Sequence, residues 1–177
     1  MTIANNNYVV WLTGLSGSGK STLAEKVYLY LKDQGLRVER LDGDVVRSQF
    51  PQTGFSKKDR NDHIRRVGSM ASSLERQGVI VVASFISPYK EAREEVRRAC
   101  KNFIEVYVDT PLQECERRDP KGLYKKVRSG QISHFTGVDD PYEIPEAPEI
   151  IIKTQGRTVE ESFKELILAI EAIVLKK

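Results

Sequence analysis

The most constraining feature of this 177-residue sequence is a glycine-rich run, 14–21, between a strand-like and a helix-like segment. The run reads Gly-Leu-Ser-Gly-Ser-Gly-Lys-Ser and fits the phosphate-loop pattern G-x-x-x-x-G-K-[ST] without a mismatch. An apolar run, 8–13, precedes it and a helical run, 21–34, follows it. A loop in this setting turns backbone N–H groups toward one point, where the helix N-terminus adds partial positive charge. We therefore predict a nucleoside triphosphate site rather than a chance Gly/Ser turn.

The chemistry of the loop assigns separate tasks to its members. Lys20 is expected to reach the β- and γ-phosphates, and the Ser21 hydroxyl to bind Mg²⁺. Glycines let the backbone approach the phosphates closely. The candidate nucleotide-binding residues are Gly14, Leu15, Ser16, Gly17, Ser18, Gly19, Lys20, Ser21 and Thr22.

Composition indicates a soluble single-domain protein. The formal charge of +3 suits an anionic ligand but is too small to indicate a nucleic-acid or membrane surface. The two cysteines, Cys100 and Cys115, have no metal-site spacing and are expected to pack as small apolar side chains in a reducing compartment. Neither a membrane-length apolar stretch nor a signal peptide is evident, so we expect a cytoplasmic protein. The basic cluster 93–98 is expected to form a solvated helix face.

The order of elements predicts an α/β fold. Helical stretches separate strand-like runs at 8–13, 37–41, 79–85, 103–108 and 149–152. Continuous β-branched runs are typical of strands buried on both faces of a parallel sheet. We predict a doubly wound, mainly parallel five-stranded sheet with helices on both faces, in one domain spanning 1–177 with residues 1–7 disordered. Capping boxes, Ser56 with Asp59 and Thr158 with Glu161, mark the starts of two helices.

Ligands of such sheets bind at the carboxyl ends of the strands, so the residues after each strand are candidates. Asp42 and Asp44 follow the second strand. One carboxylate can hold Mg²⁺ and the other can accept a proton from an attacking hydroxyl, although an Asp-Gly pair alone is also common in surface turns. Ser87 follows the third strand and could contact a ligand or cap the next helix.

A basic, glycine-punctuated segment, about 117–143, lies between the fourth and fifth strands. Five cations fall within 117–126, together with one proline and one glycine. We predict a mobile lid that closes over phosphates, excludes water and adds positive charge near the transferring phosphoryl group.

Together these motifs resemble adenylylsulfate kinase, which phosphorylates the 3′-hydroxyl of adenosine 5′-phosphosulfate in sulfate assimilation. The resemblance extends over 12–149. It rests on the phosphate loop, Leu-Asp-Gly-Asp at 41–44, Gly-Phe-Ser at 54–56, Phe-Ile-Ser-Pro at 85–88, Asp-Pro-Lys-Gly-Leu-Tyr at 119–124 and Phe-Thr-Gly at 135–137. The phosphate loop alone is shared by many unrelated enzymes, whereas the last three motifs are far narrower.

The resemblance implies roles for single residues. Asp44 matches the carboxylate that orients or deprotonates the acceptor hydroxyl, Lys121 a lid lysine, and Ser87 a serine described in some members as forming a phosphoenzyme. The remaining carry-overs are Phe55 and Phe135 around the acceptor adenine, Arg47 and Arg60 on the phosphosulfate, Ile86 and His63 on the acceptor, Asp42 and Ser21 on Mg²⁺, and Arg118 and Thr154 near the ATP adenine. Without the resemblance, both phenylalanines would be assigned to the core.

Two departures from the family pattern stand out. Val45 replaces an asparagine and is expected to face away from the ligand, whereas His63 replaces an amide that the family uses against the substrate. An imidazole can donate or accept a hydrogen bond in its place, or His63 could lie on the surface of a basic helix.

The function implied is ATP- and Mg²⁺-dependent phosphorylation of adenosine 5′-phosphosulfate. The alternatives are a kinase for another nucleotide with a 5′ anionic group and a non-catalytic nucleotide-dependent regulatory module. Small-molecule nucleotides are the expected partners, without nucleic acid or membrane. Dimers are common in the family, so a homodimer and a functional link to ATP sulfurylase are further expectations.

Overall fold

The computed structural model describes residues 7–50 and 54–176. Its centre is a parallel sheet of five strands in the order β2-β3-β1-β4-β5. The predicted strand limits agree with the observed ones within one residue, and the predicted disorder of 1–7 falls, except for Asn7, outside the described residues. The strands are β1 (Val9–Thr13), β2 (Val38–Asp42), β3 (Ile80–Ser84), β4 (Phe103–Asp109) and β5 (Ile150–Lys153).

Helices cover both faces of this sheet, as predicted. They are α1 (Lys20–Asp33), α2 (Gly43–Gln49), α3 (Lys57–Arg76), α4 (Lys90–Ala99), α5 (Leu112–Arg118), α6 (Leu123–Arg128) and α7 (Val159–Val174). Of these, α2, α5 and α6 had no predicted counterpart. None of the helices among the described residues is both long enough and apolar enough to span a membrane.

Alternate residues of β1 belong to two separate cores. Val10 and Leu12 pack with side chains from α1 and α7, such as Leu23 and Leu166. Val9 and Trp11 face the opposite side and pack with side chains of α3 and α4. A strand that is buried on both faces must be apolar throughout, which explains the continuous pattern of this sequence.

The predicted helix starts are confirmed at the capping boxes of α3 and α7, where Ser56 and Thr158 are the N-caps. The alternative that Ser87 caps α4 is wrong. The N-cap of α4 is Tyr89, which makes no side-chain cap. Instead the Glu143 carboxylate accepts the Lys90 N–H at 2.7 Å from 53 residues away.

The structure corrects the prediction that 93–98 is a solvated face and confirms the prediction for the two cysteines. The segment 93–98 is not uniformly solvated, because the Arg93 side chain is almost fully buried and ion-paired with Glu105 of β4. Cys100 and Cys115 are free and buried, as expected of small apolar side chains.

Candidate active site

The carboxyl ends of the strands border one cavity of about 860 Å³. Most of the predicted site residues line it, including members of the phosphate loop, both aspartates and the segment predicted as a lid. The predicted residues in the lining are Ser16, Gly17, Gly19, Lys20, Ser21, Thr22, Asp42, Asp44, Arg47, Phe55, Arg60, His63, Ile86, Ser87, Arg118, Lys121, Phe135 and Thr154. Gly14, Leu15 and Ser18 were also predicted to bind the nucleotide but are absent from this lining.

Backbone geometry shapes the phosphate loop. Gly14 has φ +154°, and a Cβ at this position would lie 2.7 Å from the Val108 carbonyl oxygen. Gly19 is the N-cap of α1 with φ +103°. These conformations favour glycine, so the loop can bring its N–H groups to one point without side chains intervening.

Lys20 lies almost fully buried across the loop. Its Nζ donates to the Leu15 carbonyl oxygen at 2.7 Å and is 3.4 Å from Ser18 Oγ. Burial lowers the pKa of Lys20 to about 8, although the nearby Asp44 and Asp42 carboxylates partly oppose this. Anionic phosphate oxygens beside a desolvated ammonium group stabilise its charged form.

Polar side chains after β4 and β5 support the loop. Thr110 Oγ1 and Thr154 Oγ1 each donate to the Ser18 carbonyl oxygen at 3.1 Å. Arg118 donates to Thr154 Oγ1 at 2.9 Å and to its carbonyl oxygen at 3.0 Å. The sequence reasoning missed the supporting role of Thr110, although the residue follows a strand directly.

The residue arrangement around Asp42 fits a magnesium ion. Asp42 Oδ1 caps α2 by accepting the Asp44 N–H at 3.1 Å, and its Oδ2 accepts the Ser84 hydroxyl at 3.1 Å. Burial acts to raise the pKa of Asp42, but the hydrogen bonds from Asp44, Ser84 and Ser21 outweigh it and hold the pKa below its usual value. An ionised carboxylate next to a serine hydroxyl is an all-oxygen donor set of the kind Mg²⁺ prefers.

A metal held by protein side chains alone is not indicated. Within 7–50 and 54–176, no three His, Cys, Asp or Glu side chains cluster in a way that could hold an ion. Mg²⁺ commonly keeps several waters and needs only one or two protein ligands besides phosphate oxygens, so two oxygen donors suffice.

Asp44 lies on the solvent-exposed side of α2 and forms an ion pair with Lys121. This contact joins the strand end after β2 to the segment between α5 and α6, which was predicted as a lid. The structure therefore brings a candidate base and a candidate lid cation together. Mobility of the lid stays a prediction.

The aromatic walls predicted for an acceptor base are tied to arginines. The Arg47 guanidinium lies over the Phe55 ring, 4.1 Å from its centroid, and donates to the Gly54 carbonyl oxygen at 2.6 Å. Phe55 is 60% exposed and Phe135 is half-buried, so neither is a core residue. The Phe135 ring packs edge-on against Tyr124, with centroids 5.1 Å apart.

Arg60 connects the two aromatic segments. Its Nε donates to the Phe55 carbonyl oxygen at 2.8 Å. Its two terminal nitrogens donate to the His134 carbonyl oxygen and to Thr136 Oγ1, and Nη2 also reaches Asp140 Oδ2 at 3.2 Å. Much of this guanidinium is thus engaged by protein, and phosphosulfate binding by Arg60 stays a prediction.

His63 is a buried residue, which excludes the alternative of a surface histidine. It is 5% exposed, and its buried Nδ1 finds no hydrogen-bond partner within residues 7–50 and 54–176. The ring packs edge-on against Phe85 at 6.0 Å. Burial, followed by the charges of Arg47 and Arg66, lowers the pKa of His63 to about 4. A neutral imidazole with an unpartnered nitrogen therefore borders the cavity, while Val45 is exposed and absent from the lining, as expected.

Ser87 has a left-handed backbone with φ +41° and is almost fully buried. Its Oγ accepts the Trp11 Nε1–H at 3.1 Å and donates to Thr13 Oγ1 at 2.9 Å. The hydroxyl is therefore engaged by β1, and formation of a phosphoenzyme stays a prediction. The sequence predicted the start of α7 but not that this region borders the cavity. The residues there that line it, before and within the first turn of α7, are Gly156, Arg157, Thr158, Val159 and Ser162.

Comparison with known proteins gives a consistent result. The family described as adenylylsulphate kinase matches residues 6–153. The adenylyl-sulfate kinase of Synechococcus sp. (strain JA-2-3B'a(2-13)) is 52% identical over 171 residues, which cover 96% of this chain and 98% of the relative.

Solved structures agree with this match. The APS kinase of Mycobacterium tuberculosis in complex with AMPPNP and APS superimposes with a TM-score of 0.88 at 42% identity, covering 94% of this chain and 98% of that one. The hexameric APS kinase of Thiobacillus denitrificans has a TM-score of 0.72 at 31% identity, covering 94% of this chain and 29% of that one.

Proposed function

The chain belongs to the adenylylsulfate kinase family, and we propose that it transfers the γ-phosphoryl group of ATP to the 3′-hydroxyl of adenosine 5′-phosphosulfate. The products are ADP and 3′-phosphoadenosine 5′-phosphosulfate. The observation that carries the proposal is that a phosphate loop and a second set of aromatic, cationic and carboxylate groups line the same cavity. A protein that only binds a nucleotide has no use for the second set.

The donor half of the reaction belongs to the loop. The backbone N–H groups and Lys20 hold the ATP phosphates, and the start of α1 adds its partial positive charge. Thr154 and Arg118 lie beside the loop and are assigned to the adenine side of ATP. Burial lowers the pKa of Lys20, and phosphate oxygens would favour its charged form.

Ser21 and Asp42 would hold Mg²⁺ on the donor side. Both line the cavity and share a hydrogen bond, and Asp42 is kept ionised by its donors. When bound, Mg²⁺ neutralises charge on the β- and γ-phosphate oxygens.

The acceptor half belongs to side chains from several segments. Phe55 and Phe135 stack on the acceptor base, while Arg47, Arg60 and His63 contact the rest of the nucleotide. Asp44 orients the 3′-hydroxyl and accepts its proton, a role that requires it to release Lys121 or to share that cation with the phosphoryl group. Because the Ser87 hydroxyl is engaged by Trp11 and Thr13, we favour direct in-line transfer over a phosphoenzyme.

Assembly and cellular context extend the proposal. We propose that the protein is cytoplasmic, forms at least a homodimer and works beside ATP sulfurylase in sulfate assimilation. The hexameric relative supports oligomer formation. Sedimentation of the purified chain tests the homodimer directly.

The decisive experiment is an ADP-release assay with purified protein, Mg²⁺, ATP and a panel of nucleotide acceptors. We expect adenosine 5′-phosphosulfate to give the highest kcat/KM, with AMP and other 5′-anionic nucleosides far lower. His63→Asn, which restores the amide typical of the family, is the matched variant. A higher kcat/KM for another acceptor would replace the substrate assignment, and ATP binding without turnover on any acceptor would favour the regulatory alternative.

A further inference from the structure

Arg93 is a buried charged residue to which the proposed reaction gives no role. It is 3% exposed, lies on α4 and is absent from the cavity lining. Its Nε donates to Glu105 Oε1 at 3.0 Å, its Nη1 to the Ser87 carbonyl oxygen at 2.7 Å and its Nη2 to the Glu143 carbonyl oxygen at 2.6 Å. One guanidinium therefore joins β4, the turn after β3 and the chain that returns from the segment predicted as a lid.

The turn after β3 is held in a conformation that most residues avoid. Ser87 has φ +41°, and its carbonyl group is fixed by Arg93 while its hydroxyl is fixed by Trp11 and Thr13. A left-handed serine persists only where its surroundings determine it. Since 86–88 line the cavity, whatever fixes this turn also fixes part of the acceptor wall.

The returning chain is attached to the same turn. The Glu143 N–H donates to the Pro88 carbonyl oxygen at 2.8 Å. The Tyr142 hydroxyl is 2.9 Å from Thr13 Oγ1, at the end of β1 next to the phosphate loop. Arg93 closes this arrangement by joining the Ser87 and Glu143 carbonyl oxygens.

The attachment reaches Phe135 through a short chain of contacts. Asp140 precedes Tyr142 by two residues, and its carbonyl oxygen accepts the Gly137 N–H at 2.7 Å. Its side chain accepts from Arg60, which also holds the Phe55 carbonyl oxygen. The position of the Phe135 ring therefore depends on the hydrogen bonds that hold the chain at 142–143.

We propose that Arg93 is a positioning residue for the acceptor half of the site. It acts through the turn at 86–88 and the anchor at 142–143 and does not contact substrate. The phosphate loop is held mainly by the hydrogen bonds of Thr110 and Thr154 to the Ser18 carbonyl oxygen. Loss of Arg93 therefore weakens binding of the acceptor and leaves binding of ATP nearly unchanged. The inference rests on the proposed function only for the name of the acceptor.

The central test is a double variant that removes the buried guanidinium together with its carboxylate partner, so that neither charge is left unpaired. The double variant Arg93→Met/Glu105→Gln removes both charges at near-constant volume. Glu105→Gln alone keeps the two carbonyl contacts of Arg93, and Arg98→Met makes the same change at an exposed position of α4. Arg93→Lys retains a cation that can reach fewer acceptors and should fall between wild type and the double variant.

We expect the double variant to raise the KM for adenosine 5′-phosphosulfate about tenfold or more, with the KM for ATP within twofold of wild type. Both control variants should keep both KM values within twofold. A merely structural role would lower the active fraction, and with it the apparent kcat, while leaving both KM values unchanged. An equal rise in the two KM values, or an unchanged acceptor KM in the folded double variant, overturns the inference.

A second readout is independent of substrate identity. Amide hydrogen exchange over 134–146 should be faster in the double variant than in wild type and Arg98→Met, because the Glu143 and Gly137 N–H bonds lose their anchor. If wild type fails to use adenosine 5′-phosphosulfate while this difference is present, the proposed function fails and the positioning role stands. If exchange over 134–146 is unchanged, the positioning role fails, whatever the substrate.

Discussion

The two halves of the cavity are built in different ways. The half assigned to the donor is a single loop in which backbone N–H groups act together with Lys20 and Ser21, and its shape is fixed by glycines and the start of α1. The acceptor half consists of side chains on α2, α3 and the excursion between β4 and β5. Its members are joined by contacts between residues far apart in sequence, such as Arg60 with Thr136, 76 positions away.

This difference predicts how each half responds to substitution. A site made of backbone is insensitive to most side-chain changes but is damaged by one added Cβ where the chain approaches closely. A site made of side chains on separate segments loses part of its affinity with each side chain that is removed. Its affinity also depends on residues that position those side chains without contacting the ligand. Each of the following experiments separates the two halves by measuring ATP and acceptor use side by side.

The largest effect is expected where the halves meet, at Asp44. Asp44→Asn keeps the size of the side chain but removes the base, so kcat should fall by about 10²–10⁴-fold. ATP affinity should remain within twofold, because Asp44 lies outside the loop. Steady-state kinetics and calorimetric ATP binding measure the two quantities.

The matched control for this experiment is Asp33→Asn, which changes an exposed aspartate of α1. It should leave kcat and ATP affinity unchanged. If Asp44→Asn retains more than a tenth of the wild-type kcat, another group must accept the proton.

The donor half is tested most sharply by Gly14→Ala. The new Cβ would lie 2.7 Å from the Val108 carbonyl oxygen, on a backbone with φ +154°. We expect ATP affinity to fall more than tenfold and the free energy of unfolding to fall by about 2–3 kcal/mol, since both strain and a clash are introduced. ATP titration and chemical denaturation measure these changes.

Gly35→Ala provides the comparison at a site outside the loop. Gly35 also has a positive φ, +76°, but a Cβ there meets nothing within 4 Å. It should cost about 1 kcal/mol of stability and leave ATP affinity unchanged. Equal effects of the two substitutions would mean that close approach of the backbone is unimportant at Gly14.

The acceptor half is tested by Phe55→Ala. Stacking of a base on an aromatic ring is worth about 1–3 kcal/mol, so the acceptor KM should rise about 5–150-fold. The KM for ATP should stay within twofold. Leu168→Ala, which truncates another exposed large apolar side chain outside the cavity lining, should leave both KM values unchanged. A rise in the KM for ATP alone would place Phe55 on the donor side.

The last effect is absent at neutral pH and appears only on acidification, when His63 becomes protonated. Its pKa is about 4 in the folded protein against 6.5 when unperturbed, so the unfolded chain binds more protons between these pH values. Stability contributed by the neutral imidazole is therefore present above pH 6.5 and is lost as pH falls toward 4, by about 3 kcal/mol. Denaturation midpoints of wild type and His63→Asn between pH 4 and 7 measure the difference. Parallel curves would show that His63 titrates as an exposed histidine.

The sequence predicted the framework closely for a physical reason. The inner strands β1 and β3 are buried on both faces and form continuous, mostly apolar runs, so their limits were readable to within one residue. The capping boxes of α3 and α7 involve residues three apart, and local signals of this kind survive in any tertiary context. The helix α2 was missed because it is short and depends on the Asp42 side chain as its cap.

Arg93, which was misassigned to solvent, and Ser87, for which capping was one of two alternatives, share one property. Arg93 lies in a charge-rich helical pattern that indicates solvent, and Ser87 precedes a helix where a cap is expected. Their actual surroundings come from Glu105, Trp11 and Glu143, which are distant in sequence. A local sequence pattern cannot predict contacts with residues so far away in the chain.

The sequence by itself determined the donor half, because a phosphate loop consists of backbone geometry that its own glycines and the adjoining helix specify. It also determined the layered fold through the pattern of buried strands. Only the tertiary structure decided how Arg60 and Arg93 are used, that His63 is buried, and that Lys121 contacts Asp44. These properties depend on which distant segments pack together. The burial and the hydrogen bonds of a side chain are determined by that packing and not by its residue type.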